Sequence, residues 1–409
     1  MTMDFDEIID RRHTNAENTD GFRGYLFRDR PGLELPWRDE DLIRMWVADM
    51  EFGVAPVILD AIRARLDRRI LGYTGIYDDR YFDAFRAWCR RHYDWELPRE
   101  QICLSPGVVP ALFLLTGLIC EPEDAVLINT PAYCQFRRAA EYAERTLLCS
   151  PLTRSETGEF VVDYADFEAR CADPRCKLVI WCNPHNPTGR VWRESELRRV
   201  AEIVERYDLW VISDEIHCDL LRQGQRHIPL GKVMPDYPKL ITCMAPSKTF
   251  NLAGLGMSNV IIRDEALRKR YGSRDGIFGS VNPLSLAGVE AAYEQGEAWL
   301  EELRVYLDGN FRLLADFLAA ELPEAEMYPA QATYLAWVRL GDCLPDVEDL
   351  CFFFAEKAGV LLEAGDGLFV GNARGYVRLN LAMPRALLQQ GLERIRNAIR
   401  AHRAQTQNA

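Results

Sequence analysis

Lys177-Leu178-Val179-Ile180-Trp181-Cys182-Asn183-Pro184-His185-Asn186-Pro187-Thr188-Gly189 is the stretch that decides the fold of this chain. The apolar run from Lys177 to Cys182 is short and unbroken, and it stops in a cluster of asparagine, proline and glycine. Such a run, bounded by turn formers, marks a strand buried on both faces, as in a parallel sheet. The same rhythm returns at Ala125 to Asn129, Leu209 to Ser213, Leu240 to Met244 and Asn259 to Ile262. Between two of these, Glu194 to Tyr207 sets Leu197, Val200, Ala201 and Val204 on one face at helical spacing. Strands alternating with amphipathic helices predict an α/β fold with a large, mostly parallel sheet flanked by helices, over residues 53–296.

Beyond it the pattern changes. A helical stretch from Leu284 to Leu322, broken near Gly296, leads to a strand at Thr333 to Arg339, a helix at Val347 to Ala358, a strand at Tyr376 to Leu381 and a helix at Arg385 to Arg400. That predicts a smaller α+β domain over residues 297–409. Residues 1–52 carry little regular pattern and many turn formers, and are expected to pack on the small domain or on a partner subunit. A chain of 409 residues exceeds what one core supports, so a cleft between two domains is expected.

The charge balance, 49 basic against 62 acidic residues for a net −13, disfavours nucleic acid and anionic membranes as partners and favours a small molecule. Met1 to Arg12 is acidic rather than basic then apolar, and no stretch reaches the run of about 18 apolar residues a membrane span needs. Twelve cysteines are scattered with no CxxC pair, a distribution unlike a zinc site or a disulfide scaffold. Buried thiols in the cytoplasm, and no metal, are the expectation.

In open α/β sheets ligands collect where strands end, so the residues just after each apolar run carry the chemistry. Those positions hold Tyr133, Asn186, Asp214 with His217, and Lys248 in Ala245-Pro246-Ser247-Lys248-Thr249-Phe250-Asn251. Lysine is rare here: Lys177, Lys232, Lys239, Lys248, Lys269 and Lys357 are the six among 49 basic residues. An amine forms an imine with an aldehyde, and a guanidinium cannot. Singly, a lysine after a strand is most often solvated, an aspartate caps a helix, and Asn-Pro-Thr-Gly is a turn. Together, in order, they suit a pyridine aldehyde cofactor. Lys248 would hold it as an imine, Asp214 would keep its ring nitrogen protonated, Tyr133 would stack on its face, and Asn186 and His217 would reach its ring hydroxyl. Before the apolar helix Ala111 to Ile119, the amides of Gly107, Val108 and Val109 offer an anion site, and Pro110 lacks only an amide that needs no helical partner.

Asn183 to Gly189, Ser213-Asp214-Glu215-Ile216-His217, Ser247 to Asn251 and Val377-Arg378-Leu379-Asn380 resemble the class I/II aminotransferase family of fold-type I pyridoxal 5'-phosphate enzymes. His217, Ala48-Asp49-Met50-Glu51-Phe52, Thr333-Tyr334-Leu335-Ala336-Trp337 and Pro384-Arg385 make the chain most similar to the cystathionine β-lyase subgroup, the MalY/PatB-like C–S lyases. The resemblance implies the same residue roles and adds two. Arg378, with Asn186, would bind the substrate α-carboxylate, and Tyr73 would reach the phosphate held by a neighbouring subunit, which implies a homodimer. Two departures stand out. Ala245 replaces a serine common in relatives, and Asn251-Leu252-Ala253-Gly254-Leu255 lacks the phosphate-binding arginine of many aminotransferases, so phosphate binding leans on Ser247, the Gly107 loop and Tyr73.

The implied reaction is α,β-elimination from cystathionine or a related cysteine S-conjugate to a thiol, pyruvate and ammonia. An aminotransferase shares the steps up to the carbanion and is the alternative. A non-catalytic regulatory protein that keeps the cofactor as a structural ligand is a third reading. His185 has no assigned role. Substrate choice is expected to lie with residues 1–52 and the segment Leu362 to Gly375.

Overall fold

In the computed structural model, which describes residues 3–273 and 280–407, the apolar runs become strands of two main sheets. In chain order the strands are β1 (Ile43–Met45), β2 (Ile102–Ser105), β3 (Ala125–Thr130), β4 (Ala132–Tyr133), β5 (Thr146–Arg154), β6 (Phe160–Val162), β7 (Cys176–Cys182) and β8 (Trp210–Asp214). They continue as β9 (Leu240–Met244), β10 (Ser258–Ile262), β11 (Glu326–Met327), β12 (Leu335–Arg339), β13 (Val360–Ala364), β14 (Phe369–Val370) and β15 (Tyr376–Asn380).

The larger sheet has the order β2-β10-β9-β8-β7-β3-β5-β6. Its centre, β9, β8, β7, β3 and β5, is parallel, while β10 and β6 pair antiparallel with their neighbours. Successive side chains of β7 point to opposite faces, and both faces are covered. Leu178 and Ile180 pack with Leu112 and Leu115 of the helix Val108–Ile119, while Val179 and Trp181 pack with Leu197, Val200 and Val204 of the helix Glu194–Arg206.

The smaller sheet runs β1-β13-β15-β12-β11. Its edge strand β1 comes from the N-terminal segment and lies parallel to β13. The predicted break near Gly296 separates the helices Pro283–Gln295 and Glu297–Glu321, and the junction takes glycine because a side chain there would run into the Ala292 carbonyl and the Phe250 ring. A two-stranded pairing of β4 with β14 brings Tyr133 opposite Phe369 and joins the two sheet systems at the mouth of the cleft. Among the described residues no helix is long and apolar enough to cross a membrane.

Eight strands have no counterpart in the sequence reading, and three of these, β5, β2 and β13, are longer than three residues. The burial of β5 alternates along much of its length because it lies near the sheet edge, so it never presents a continuous apolar run. Antiparallel β2 is four residues long. The third, β13, is apolar except for a fully buried carboxylate, Glu363.

Candidate active site

Parallel strands carry their carboxyl ends to one edge, and here that edge opens on a cavity of about 220 Å³. Lys248, Ser247, Asp214, His217, Asn186, Tyr133, Gly107, Val108 and Val109 line it from the large sheet, and Arg378 closes it from β15. The structure thus brings together every predicted site residue except Tyr73. That side chain is fully exposed, beside the backbone of Ser280 to Leu284, and does not line this cavity within a single chain.

Lys248 sits on the one-turn helix Pro246–Thr249 directly after β9. Its Nζ donates to the Ala48 carbonyl, which also accepts from the Tyr334 hydroxyl at 2.9 Å. Burial, reinforced by the charge of Arg378, pulls the amine down to about 8 against the nearby carboxylates of Asp49, Glu363 and Asp214. Asp214 ends β8 and is buried; burial pushes its carboxyl up to about 7, although the Ile216 amide donates to Oδ1 at 3.2 Å. His217 is held neutral by burial, with its pKa pushed down to about 3, and its Nδ1 is buried without a partner. Burial likewise raises the Tyr133 hydroxyl, so the ring presents an uncharged face.

At the opposite end of the cavity, Gly107 precedes the helix Val108–Ile119 in extended backbone with no side-chain cap. Its first amides have no intrahelical acceptor and face the cavity with Ser247, a ready site for an anion.

The roof comes from residues 47–52, and two asparagines explain why it stays put. Asn251, in the left-handed region at φ 58°, accepts from the Met50 amide at 3.0 Å and donates to the Met50 and Phe52 carbonyls at 3.0 and 3.1 Å. Asn380 donates to the Val47 and Asp49 carbonyls at 2.7 and 2.6 Å.

The floor is the turn after β7. His185 braces it, with Nδ1 2.8 Å from the Thr188 hydroxyl and its ring edge-on to Trp192, so the unassigned histidine supports the turn from outside the cavity. Arg190 holds the turn's far end: fully buried, it donates to both oxygens of Glu196 at 2.7 and 2.8 Å, to Gln331 at 3.1 Å and to Glu159. Replacing it by methionine leaves Glu159 and Glu196 with the exposed Arg193 as their remaining cation, so Arg190→Met is expected to cost about 2 kcal/mol of folding stability, measurable by denaturant unfolding. A stability within about 0.5 kcal/mol of the parent would contradict that role.

Sequence reasoning missed Glu363, Tyr25 and Ala48, all of which line the cavity. Glu363 had a usable signal, a carboxylate inside the apolar run Val360-Leu361-Leu362-Glu363-Ala364. Tyr25 had none, and Ala48, though part of a motif that carries the resemblance, contributes a backbone carbonyl that no residue type announces.

Comparison with known proteins agrees with this geometry. The family model for aminotransferase class I and II matches residues 40–395. Cystathionine beta-lyase PatB of Bacillus subtilis (strain 168) is 37% identical over 363 residues, covering 88% of this chain and 93% of that protein. Protein MalY of Escherichia coli (strain K12) is 34% identical, covering 98% of this chain and all of that protein, 100%. Among solved structures, the PLP-bound C-S lyase from Staphylococcus hominis complexed with L-cycloserine superimposes with a TM-score of 0.94 at 46% identity, covering 98% of each chain.

Proposed function

Because this chain belongs to the aminotransferase class I and II family, we propose that it is a pyridoxal-phosphate-dependent C–S β-lyase that cleaves cystathionine or a related cysteine S-conjugate. The observation that carries the proposal is one cavity in which an amine of lowered basicity, a buried carboxylate and a buried guanidinium converge. The donor set fits the cofactor: Lys248 for its aldehyde, Asp214 for its ring nitrogen, the otherwise unpartnered His217 Nδ1 with Asn186 for ring oxygens, and the amides of Gly107, Val108 and Val109 with Ser247 for its phosphate. When bound, pyridoxal phosphate supplies an aldehyde that condenses with amines and a ring that takes up negative charge from the substrate α-carbon.

The chain's own residues supply the rest. Arg378 binds the substrate carboxylate and fixes the molecule's orientation, and Asn186 steadies the guanidinium through its 3.0 Å contact with Nη1. Lys248 Nζ, held in the cavity by the Ala48 carbonyl, takes the α-proton; with its value lowered to about 8 it is neutral far more often at about pH 7 to 8 than an ordinary lysine and still basic enough to act. The β-carbon–sulfur bond breaks as a double bond forms between the α- and β-carbons, the weakly basic thiolate leaves with the electron pair and takes up a proton, and the remaining fragment hydrolyses to pyruvate and ammonia.

Pyruvate release from L-cystathionine with no added keto acid is the expected result, followed by a coupled lactate dehydrogenase assay. Strict dependence on a keto acid would instead make the chain an aminotransferase, which uses the same residues. A homodimer completed by Tyr73 of a second copy also belongs to this proposal, supported by the exposed apolar side chains Ile70, Leu71, Tyr73 and Tyr77 along one surface segment. Light scattering that returned the mass of one chain would overturn the dimer.

A further inference from the structure

Glu363 is the only charged residue of β13, and nothing in the scheme above uses it. It stands directly opposite Arg378 in the antiparallel pairing of β13 with β15. Its Oε2 accepts from Arg378 Nη2, and both residues are 2% exposed. Arg378 Nη1 is committed to Asn186, its Nε is buried without a partner, and its guanidinium lies over the Phe369 ring at 5.1 Å. The group assigned to the substrate's carboxylate therefore already holds a carboxylate from its own chain.

A guanidinium grips a carboxylate through one of two edges, Nε with Nη2 or Nη1 with Nη2. Both edges include Nη2, the nitrogen on which Glu363 rests. A second carboxylate drawn onto either edge comes into contact range of the first, and two anions sharing one cation in a buried site cannot both remain ionised cheaply.

We infer that Glu363 is the resting counter-ion of Arg378, and that a substrate carboxylate takes its place while Glu363 captures a proton from solvent. The Glu363–Arg378 ion pair breaks, an Arg378–substrate pair forms, and the proton ends on Glu363, so the net charge of the buried site is unchanged. This rests on the reading that Arg378 receives the substrate's carboxylate. It makes Glu363 a positioning and selectivity residue. An empty site keeps Arg378 extended, ordered and neutralised, and only a ligand with its own carboxylate offsets the cost of displacing Glu363. Amides and esters of the same amino acid leave the internal pair intact and bind poorly.

The surroundings favour capture of the proton by Glu363 over any neighbour. Burial already raises its carboxyl above the ordinary range, against the pull of Arg378 and Lys248. From the other elements packed around it come Tyr25, Tyr133, Cys134 and Cys351, and burial raises each of these, so they stay neutral and protonated around neutrality. Asp214 and Lys248 are the remaining groups lining the cavity that titrate near neutrality, and a variant at Glu363 separates their contribution from its own.

Propionate is a suitable probe for the holoenzyme, since it has a carboxylate and no amine to react with the cofactor. Titration calorimetry in two buffers of different ionisation enthalpy counts the protons taken up on binding. Wild type is expected to take up about one proton per propionate at about pH 8, with Kd weakening by up to about tenfold per unit of rising pH. In Glu363→Gln the uptake falls to the part due to other groups, propionate binds more tightly than in wild type at the same pH, and the pH slope flattens. Equal proton uptake and equal slopes in the two proteins overturn the inference. So does propionate binding to wild type with no uptake, which decides the question even where Glu363→Gln does not fold. Failure of the lyase reading has a different signature, absence of pyruvate from cystathionine, and does not depend on the proton count.

Discussion

Lys248→Ala is expected to lower kcat for cystathionine cleavage by about 10⁴-fold or more, with thermal stability close to the parent's. The size of the effect follows from one amine serving two duties, holding the cofactor and moving the α-proton, with no other amine lining the cavity to take over. Stability is spared because the Nζ donates one hydrogen bond, to the Ala48 carbonyl, which Tyr334 continues to satisfy at 2.9 Å. Lys248→Arg is expected to be as inactive as the alanine variant, because a guanidinium neither condenses with an aldehyde nor gives up its proton near neutrality. Added methylamine restores part of the proton transfer in the alanine variant and nothing in the arginine variant, whose side chain still fills the space. The amine's value of about 8 adds a pH signature: below it the amine is protonated and cannot accept, so the wild-type rate falls on the acid side. A Lys248→Ala enzyme within about tenfold of wild type would remove this residue from the reaction.

The parts of this site that were legible in the sequence share one physical cause. Tyr133, Asn186, Asp214 and Lys248 each follow a strand buried on both faces, and such strands are continuous apolar runs whose ends are easy to find. Parallel pairing then fixes that all four ends meet at one edge. Arg378 was harder, because β15 pairs antiparallel in the small sheet, and its role came from the resemblance alone. Glu363 stands out in the sequence as a carboxylate inside an apolar run, but its partner does not: only the pairing of β13 with β15 sets it opposite Arg378, and no spacing in the sequence encodes that. Ala48 escaped for a different reason, since a backbone carbonyl has no residue type to betray it. The clamp that holds it, Asn251 and Asn380 on residues 47–52, joins positions some 200 to 330 apart in the chain, contacts that only the tertiary fold creates.

Asp214→Asn is expected to lower kcat by about 10³-fold and also to separate activity from stability in an unusual direction. Asp214 is buried at the end of β8, and burial raises its carboxyl to about 7 although the Ile216 amide and the charge of Lys248 pull it down. A folded-state value above that of the unfolded chain means the folded protein binds the extra proton. The stability tied to this group is fully present below the ordinary carboxylate range and is lost as pH rises toward about 7. In cofactor-free protein, therefore, the asparagine variant is expected to be the more stable of the two at neutral and alkaline pH, since it removes a buried charge that one amide and Lys248 offset only in part. Addition of pyridoxal phosphate is expected to reverse the order, because a protonated ring nitrogen would give the aspartate a directly bonded cation while an amide gains nothing comparable. The measurement is a pair of melting curves with and without cofactor, for wild type and variant, at pH values on either side of about 7. A wild type more stable than Asp214→Asn in the cofactor-free state at alkaline pH would mean that the carboxylate is satisfied by the protein alone. Asp214 would then have to be reassigned from cofactor partner to structural group.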